Sequence, residues 1–191
     1  MIIVTGASGG IGRKILNDIS KLDKVIGIYN SNKPNFKFIS NRCRMYKINL
    51  LNENEIRDFS KKYLQKEKKV SLIHLASLKN ESLLINQNIN DMKKDFDLNF
   101  FSAVYFSKLL IPIMAKNNWG RFIFFSSTGG EKGDVGTASY TSTKMATLGL
   151  SKVISLEYGK FNITSNTIRL GNFNTGMYKK LSKSKQEELI N

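Results

Sequence analysis

The sequence has a single cysteine, Cys43, and only two prolines, Pro34 and Pro112, in 191 residues. One cysteine excludes an intrachain disulfide, which fits a reducing compartment, and a cytoplasmic location is expected. Long hydrophobic runs are lacking too. Stretches such as Leu109–Ala115 and Phe122–Phe125 fall far short of the roughly 18–20 apolar residues of a membrane span, so no membrane partner is expected. The opening Met-Ile-Ile-Val-Thr-Gly has no basic n-region and no extended apolar core, and does not read as a secretory signal. Acidic residues are scarce: 15 Asp+Glu stand against 30 Lys+Arg, a formal net charge of +15. The basic residues are spread along the chain, without zinc-ligand spacing, a basic heptad arm or the aromatic signature of an RNA-binding module. No nucleic-acid partner and no metal are therefore expected. The excess of Lys and Asn reads as compositional drift, and it leaves open an attraction to phosphate or to an acidic partner.

What is present is a globular composition, 41% hydrophobic and 24% charged, with no repeat and no linker, read as one domain over residues 1–191. Short apolar runs alternate with helical patterns. Strands are expected at Met1–Thr5, Lys24–Tyr29, Arg44–Leu50, Val70–Leu75, Gly120–Ser126 and Asn162–Leu170. Helices are expected at Ile11–Ser20, Glu53–Lys68, Asp91–Lys116, Ala138–Tyr158 and Lys179–Ile190, with Pro112 kinking or ending the third. Such alternation marks an α/β protein with a doubly wound parallel sheet covered on both faces, and its ligands bind beyond the carboxyl ends of the strands.

Two motifs fall at those ends. The first strand runs into Thr5-Gly6-Ala7-Ser8-Gly9-Gly10-Ile11-Gly12 and then a helix. Glycines permit a tight turn and close approach of backbone to phosphate, and the helix start offers unpaired N–H groups, so the motif points to a dinucleotide. No acid follows the second strand in Ile28-Tyr29-Asn30-Ser31-Asn32-Lys33. Asn30, Ser31 and Lys33 could therefore meet a 2′-phosphate, which favours NADP(H) over NAD(H), the alternative being a plain polar turn. Further on, Tyr140 and Lys144 share a helix face, an arrangement in which an ammonium lowers a phenol's pKa. Ser126-Ser127-Thr128-Gly129-Gly130 follows the fifth strand.

These residues, with His74-Leu75-Ala76-Ser77, Asn99 and Leu170-Gly171-Asn172-Phe173-Asn174-Thr175, occur in an order that resembles the short-chain dehydrogenase/reductases. The match is best to the 3-oxoacyl-(acyl-carrier-protein) reductase branch. The resemblance implies a Rossmann-like three-layer fold with strand order 3-2-1-4-5-6. It implies hydride transfer between a nicotinamide and a carbonyl or secondary alcohol, with Tyr140 as general acid and Ser127 binding the substrate oxygen. Lys144 would lower the Tyr140 pKa and bind the nicotinamide ribose, and Asn99 would hold a relay water. The cofactor would lie along Gly6, Ser8, Gly9, Gly10, Ile11, Gly12, Asn30, Ser31, Asn49, Leu50, Ala76, Ser77, Tyr140, Lys144, Gly171 and Thr175. The substrate would be a 3-oxoacyl thioester or other carrier-linked carbonyl, or alternatively a sugar or nucleotide-linked sugar. A non-catalytic cofactor-binding protein is a third reading.

The chain departs from the family pattern in places. His74 and Ser77 stand for Asn and Gly, Asn49 for an adenine-contacting Asp, and Leu170 for Pro. The link between the second and third strands is short and contains Pro34, so a turn is expected there in place of a helix. The seventh strand is expected to be missing, with the chain breaking off inside the substrate lid and Asn162–Leu170 left as a sheet edge. A homodimer through the two long helices is expected, and a tetramer were the C-terminus restored.

Overall fold

The computed structural model describes residues 1–31 and 41–171. Lys33, Pro34, Thr175 and the helix expected at Lys179–Ile190 lie outside the described residues.

Six strands, β1 (Ile2–Thr5), β2 (Val25–Tyr29), β3 (Cys43–Lys47), β4 (Val70–His74), β5 (Gly120–Ser127) and β6 (Ile163–Leu170), form one sheet in the order β3-β2-β1-β4-β5-β6. Every pairing is parallel. The central strands are apolar almost throughout, as burial on both faces requires. β6 alternates instead, and among the described residues it is one edge of the sheet.

The two faces bury separate cores. Ile3, Ile28, Leu72, Phe122 and Phe124 pack with Ile56, Phe106, Leu110 and Ile154 from helices α2 (Glu53–Tyr63), α4 (Ser102–Lys116) and α6 (Ala138–Tyr158). On the other face Val4, Val25, Ile73 and Phe125 pack with Leu16 of α1 (Gly10–Ile19). Neighbours such as Ile3 and Val4, or Leu72 and Ile73, fall in opposite cores because successive strand side chains point to opposite faces.

Several expected boundaries move. The third strand ends at Lys47, where the chain enters a turn in which Asn49 Oδ1 accepts the Leu51 N–H at 3.1 Å. α2 stops at Tyr63, and the buried Leu64 turns the chain inward toward β4. The helix expected at Asp91–Lys116 begins earlier, as α3 (Ile89–Phe96), and passes through a π-helical turn at Asp97–Phe101 into α4. Pro112 does not end it, because Leu110, Ile113 and Met114 hold the last turn in the core. Within the continuous helical stretch Ile89–Lys116, an 18-residue window with a mean hydropathy of 1.5 is long and apolar enough to cross a membrane, and 44% of that window is buried inside the fold. A short helix, α5 (Thr128–Lys132), was not expected.

β1 and β4 lie side by side while their crossovers run to opposite flanks of the sheet. A crevice therefore opens beyond Thr5 and His74, which are paired in register.

Candidate active site

The glycine turn leaves β1 at this crevice. Gly6 has φ +65°, and a Cβ there would lie 2.8 Å from the Ala76 nitrogen and 2.9 Å from the Leu75 carbonyl carbon. At Gly12 a Cβ would strike the Gly6 carbonyl oxygen, so β4, the turn and α1 are packed backbone to backbone. The N-cap of α1 is Gly9, which supplies no side-chain cap, so the first N–H groups of the helix, those of Gly10, Ile11 and Gly12, stay available to an anion. A closely packed glycine turn and an uncapped helix start fit a dinucleotide pyrophosphate. Ser8 is held from the helix side, its carbonyl accepting Arg13 Nε at 2.9 Å.

The other residues expected along the cofactor differ in what they offer. Asn30 and Ser31 are exposed just past β2, and neither carries a charge. Asn49 sits past β3, but its amide oxygen is committed to Leu51, which weakens the expected adenine contact through that oxygen. The Leu50 side chain is buried in the core, so only its backbone could meet a ligand. Ala76 and Ser77 follow β4, with Ala76 buried, and Gly171 is exposed at the end of β6.

His74 is 3% exposed and joins two walls of the crevice. Its Nδ1 lies 3.0 Å from Thr5 Oγ1, and its Nε2 lies 3.1 Å from Ser102 Oγ. The surrounding bonds fix the tautomer. Ser102 donates to the Leu98 carbonyl and must therefore accept from Nε2–H. Nδ1 is then an acceptor for the Thr5 hydroxyl, whose oxygen takes the N–H groups of Leu75 and Ala76, both at 3.2 Å. The imidazole thus ties the cofactor turn to the π turn. Burial first, and the Lys144 charge second, push its pKa down to about 3.

The unfolded chain holds a His proton below about 6.5, whereas the folded chain excludes it down to about 3. Stability from this source is complete above pH 6.5 and is lost as pH falls toward 3. At 1.36 kcal/mol per pH unit, about 2 kcal/mol is lost between pH 7 and pH 5. Urea unfolding at both pH values should show this loss in the wild type and a smaller one in His74→Asn; equal losses would disprove the assignment.

Tyr140, Lys144, Ser127 and Asn99 come together beyond β4 and β5. Ser127, the N-cap of α5, accepts the Gly129 N–H at 3.2 Å and makes a hydrogen bond with Tyr140. The Lys144 Nζ is 5.4 Å from the centre of the Tyr140 ring and donates to the Phe125 carbonyl at 3.1 Å. Asn99, in the π turn, accepts the Leu78 N–H at 2.7 Å and donates to the Leu78 carbonyl at 2.9 Å and to Thr143 Oγ1 at 3.1 Å. Its amide serves as a tether at both ends.

The Tyr140 pKa is raised, chiefly by burial; the bond to Ser127 opposes the rise, and the Asp134 carboxylate adds to it. The Lys144 ammonium lies against the ring face and donates to the Phe125 carbonyl. Lys144 itself is pulled down to about 8 by burial.

Sequence reasoning missed four groups here: Thr143 behind Asn99; Lys79, whose Nζ is 5.7 Å from the Tyr140 ring centre and pairs with Glu81; Asp134, which lies against Gly129; and Thr5 as a hydrogen-bond hub. Thr143 had a local signal beside Lys144 in the motif helix, and Thr5 one at the head of the glycine motif. Lys79 and Asp134 are brought in by loops.

The model of the short chain dehydrogenase family matches residues 1–186. The 3-oxoacyl-(acyl-carrier-protein) reductase FabG of Rickettsia felis is 29% identical over 189 residues, covering 98% of this chain and 78% of that protein. The protein of the same name from Buchnera aphidicola is 30% identical over 194 residues, covering 98% and 79%. Among solved structures, the sorbitol-6-phosphate 2-dehydrogenase SrlD of Erwinia amylovora superposes with a TM-score of 0.87 at 18% identity, over 99% of this chain and 78% of that one. At that identity the likeness is one of fold.

Proposed function

Because this chain belongs to the short-chain dehydrogenase family of nicotinamide-dependent oxidoreductases, we propose that it is an NADP(H)-preferring reductase of 3-oxoacyl thioesters. The observation that carries this reading is the convergence of the Ser127 and Tyr140 hydroxyls, with the Lys144 ammonium 5.4 Å from the Tyr140 ring centre, at the same carboxyl end of the parallel sheet as the uncapped start of α1.

The cofactor, when bound, supplies the hydride. The chain's own groups manage the oxygen. Tyr140, like any phenol, carries its proton at neutral pH and so can give it to the carbonyl oxygen as that oxygen gains charge. Ser127 donates a hydrogen bond to the same oxygen. Lys144 places a cation at the tyrosine and would bind the cofactor's ribose, while Asn99 tethers the segment after β4 to α6. Gly6, Gly9, Gly10, Ile11 and Gly12 would hold the pyrophosphate.

The NADP(H) preference rests on the lack of an acid at Asn30 and Ser31 and on the net charge of +15, which also suits an anionic, carrier-linked substrate. The thioester substrate is supported by the names of the relatives. A dimer through the two long helical stretches, Ile89–Lys116 and Ala138–Tyr158, belongs to the same proposal, since Phe101, Val153 and Leu156 expose apolar side chains there. So do a single domain and a cytoplasmic setting, the latter supported by a lone cysteine.

The test follows NADPH absorbance with 3-oxoacyl thioesters, sugar-derived ketones and simple ketones. Turnover should be fastest with the thioesters, and slower with NADH than with NADPH. Cofactor binding without oxidation across the panel would refute the proposal.

A further inference from the structure

Asp95 of α3 is fully buried, and the proposed chemistry does not use it. Its Oδ1 accepts Asn80 Nδ2 at 2.8 Å and its Oδ2 accepts Ser139 Oγ at 2.8 Å. Both partners are neutral. Burying a carboxyl group is costly, and hydrogen bonds on both oxygens are the minimum that makes it tolerable.

The arrangement repeats one helical turn later. Asn99 binds the backbone of Leu78 on one side and Thr143 on the other. Residues 95 and 99 are four apart on one helix, and so are 139 and 143 on the helix facing it. The two bonds, Asp95 to Ser139 and Asn99 to Thr143, are therefore successive rungs between α3 with its π turn and α6. Leu78 and Asn80, two apart in the segment after β4, close the outer end of each rung. On α6 each rung residue directly precedes a site residue: Ser139 precedes Tyr140, and Thr143 precedes Lys144.

We propose that Asp95 is a positioning residue for the reduction, which with Ser139 and Asn80 sets the rotation and axial register of the first turn of α6 and so aims the Tyr140 hydroxyl. The inference rests on the reading of Tyr140 as the proton donor. A helix with only the Asn99 rung is still anchored at Lys144, but its first turn can rock by a fraction of its 1.5 Å rise per residue. Misplacement of about 1 Å costs up to about 100-fold in rate. The pyrophosphate turn is built from β1 and α1, and Lys144 stays anchored through the Asn99–Thr143 bond beside it, so NADPH affinity should change little when the Asp95 rung is lost.

The test uses the full chain and four variants, Asp95→Val, Asp95→Asn, Ser139→Ala and Tyr140→Phe. It measures kcat, the NADPH Kd, and the titration of the Tyr140 ring by NMR of ¹³C-labelled tyrosine, assigned with Tyr140→Phe. Asp95→Val and Ser139→Ala should lower kcat by about 10- to 100-fold. Both should displace the Tyr140 titration, with the NADPH Kd kept within about twofold. Asp95→Asn can still accept from Asn80 and donate to Ser139, and should recover to within about threefold of wild type. Should Asp95→Val not fold, Ser139→Ala, which removes one hydroxyl, carries the test. Folded variants with wild-type kcat and an unmoved Tyr140 titration would overturn the inference. A wild type that binds NADPH yet reduces no carbonyl would refute the catalytic reading instead; the Tyr140 titration in Ser139→Ala would then decide the positioning alone.

Discussion

Replacing Tyr140 by Phe should lower turnover about 10²- to 10⁴-fold, the usual worth of a positioned general acid, while leaving the fold and NADPH affinity near those of the wild type. The substitution removes one hydroxyl and one hydrogen bond with Ser127, worth about 1 kcal/mol of stability. The ring remains to fill its place between the Lys144 and Lys79 ammonium groups. The loss should therefore fall on kcat and spare cofactor binding, a split that single-turnover kinetics with calorimetry would resolve. An equal loss of cofactor affinity would mean that the hydroxyl serves binding. The pH dependence adds a sign. Lys144 is charged below about 8 and neutral above it, so its electrostatic support of the site disappears as pH rises through that value. In the wild type, kcat/KM for NADPH should fall on the alkaline side of about pH 8.

Gly6→Ala is the second large effect, on folding and cofactor binding together. At φ +65° an alanine is strained by about 1–2 kcal/mol. Its Cβ would also sit 2.8 Å from the Ala76 nitrogen, against backbone that cannot rotate away as a side chain could. Overpacking of this kind costs about 1–3 kcal/mol. A total of about 3 kcal/mol lowers the melting temperature of a chain of this size by about 6–12 °C. The backbone that must give way is the turn expected to cradle the pyrophosphate, so calorimetry should show NADPH binding lost even below the melting transition. Gly149→Ala is the matched control. It lies inside α6 with nothing within 4 Å of an added Cβ, and it should raise stability by about 0.5–1 kcal/mol. If Gly6→Ala binds NADPH as the wild type does, the turn is not the cofactor cradle.

The strands were legible because a buried parallel strand announces itself locally. Ile2–Thr5, Val25–Tyr29 and Val70–His74 are continuous apolar runs, and each was expected within a residue or two of where it forms. α6 was expected at Ala138–Tyr158 and forms there. Local pattern was silent where the deciding forces act across the fold. The π turn at Asp97–Phe101 has no periodicity of its own; it forms where Ser102 bonds to the Leu98 carbonyl and His74 reaches Ser102. Asp95 reads in the sequence as one more charge on an exposed helix face, and only the approach of α6 makes it a buried group.

The sequence by itself determined the order of elements, the parallel sheet and the placement of Gly6, Ser127 and Tyr140 at strand or helix ends, since these follow from periodicity and steric rules that act over a few residues. The tertiary structure alone decided the charge states and hydrogen-bond roles within the site. Burial raises the Tyr140 pKa and draws Lys144 down to about 8. A ring of bonds from β1, β4 and the π turn selects the His74 tautomer, and two helix-to-helix rungs hold α6 in register. Desolvation and long-range bonding depend on what surrounds a group in space, and residues more than 40 positions apart become neighbours only when the chain has folded.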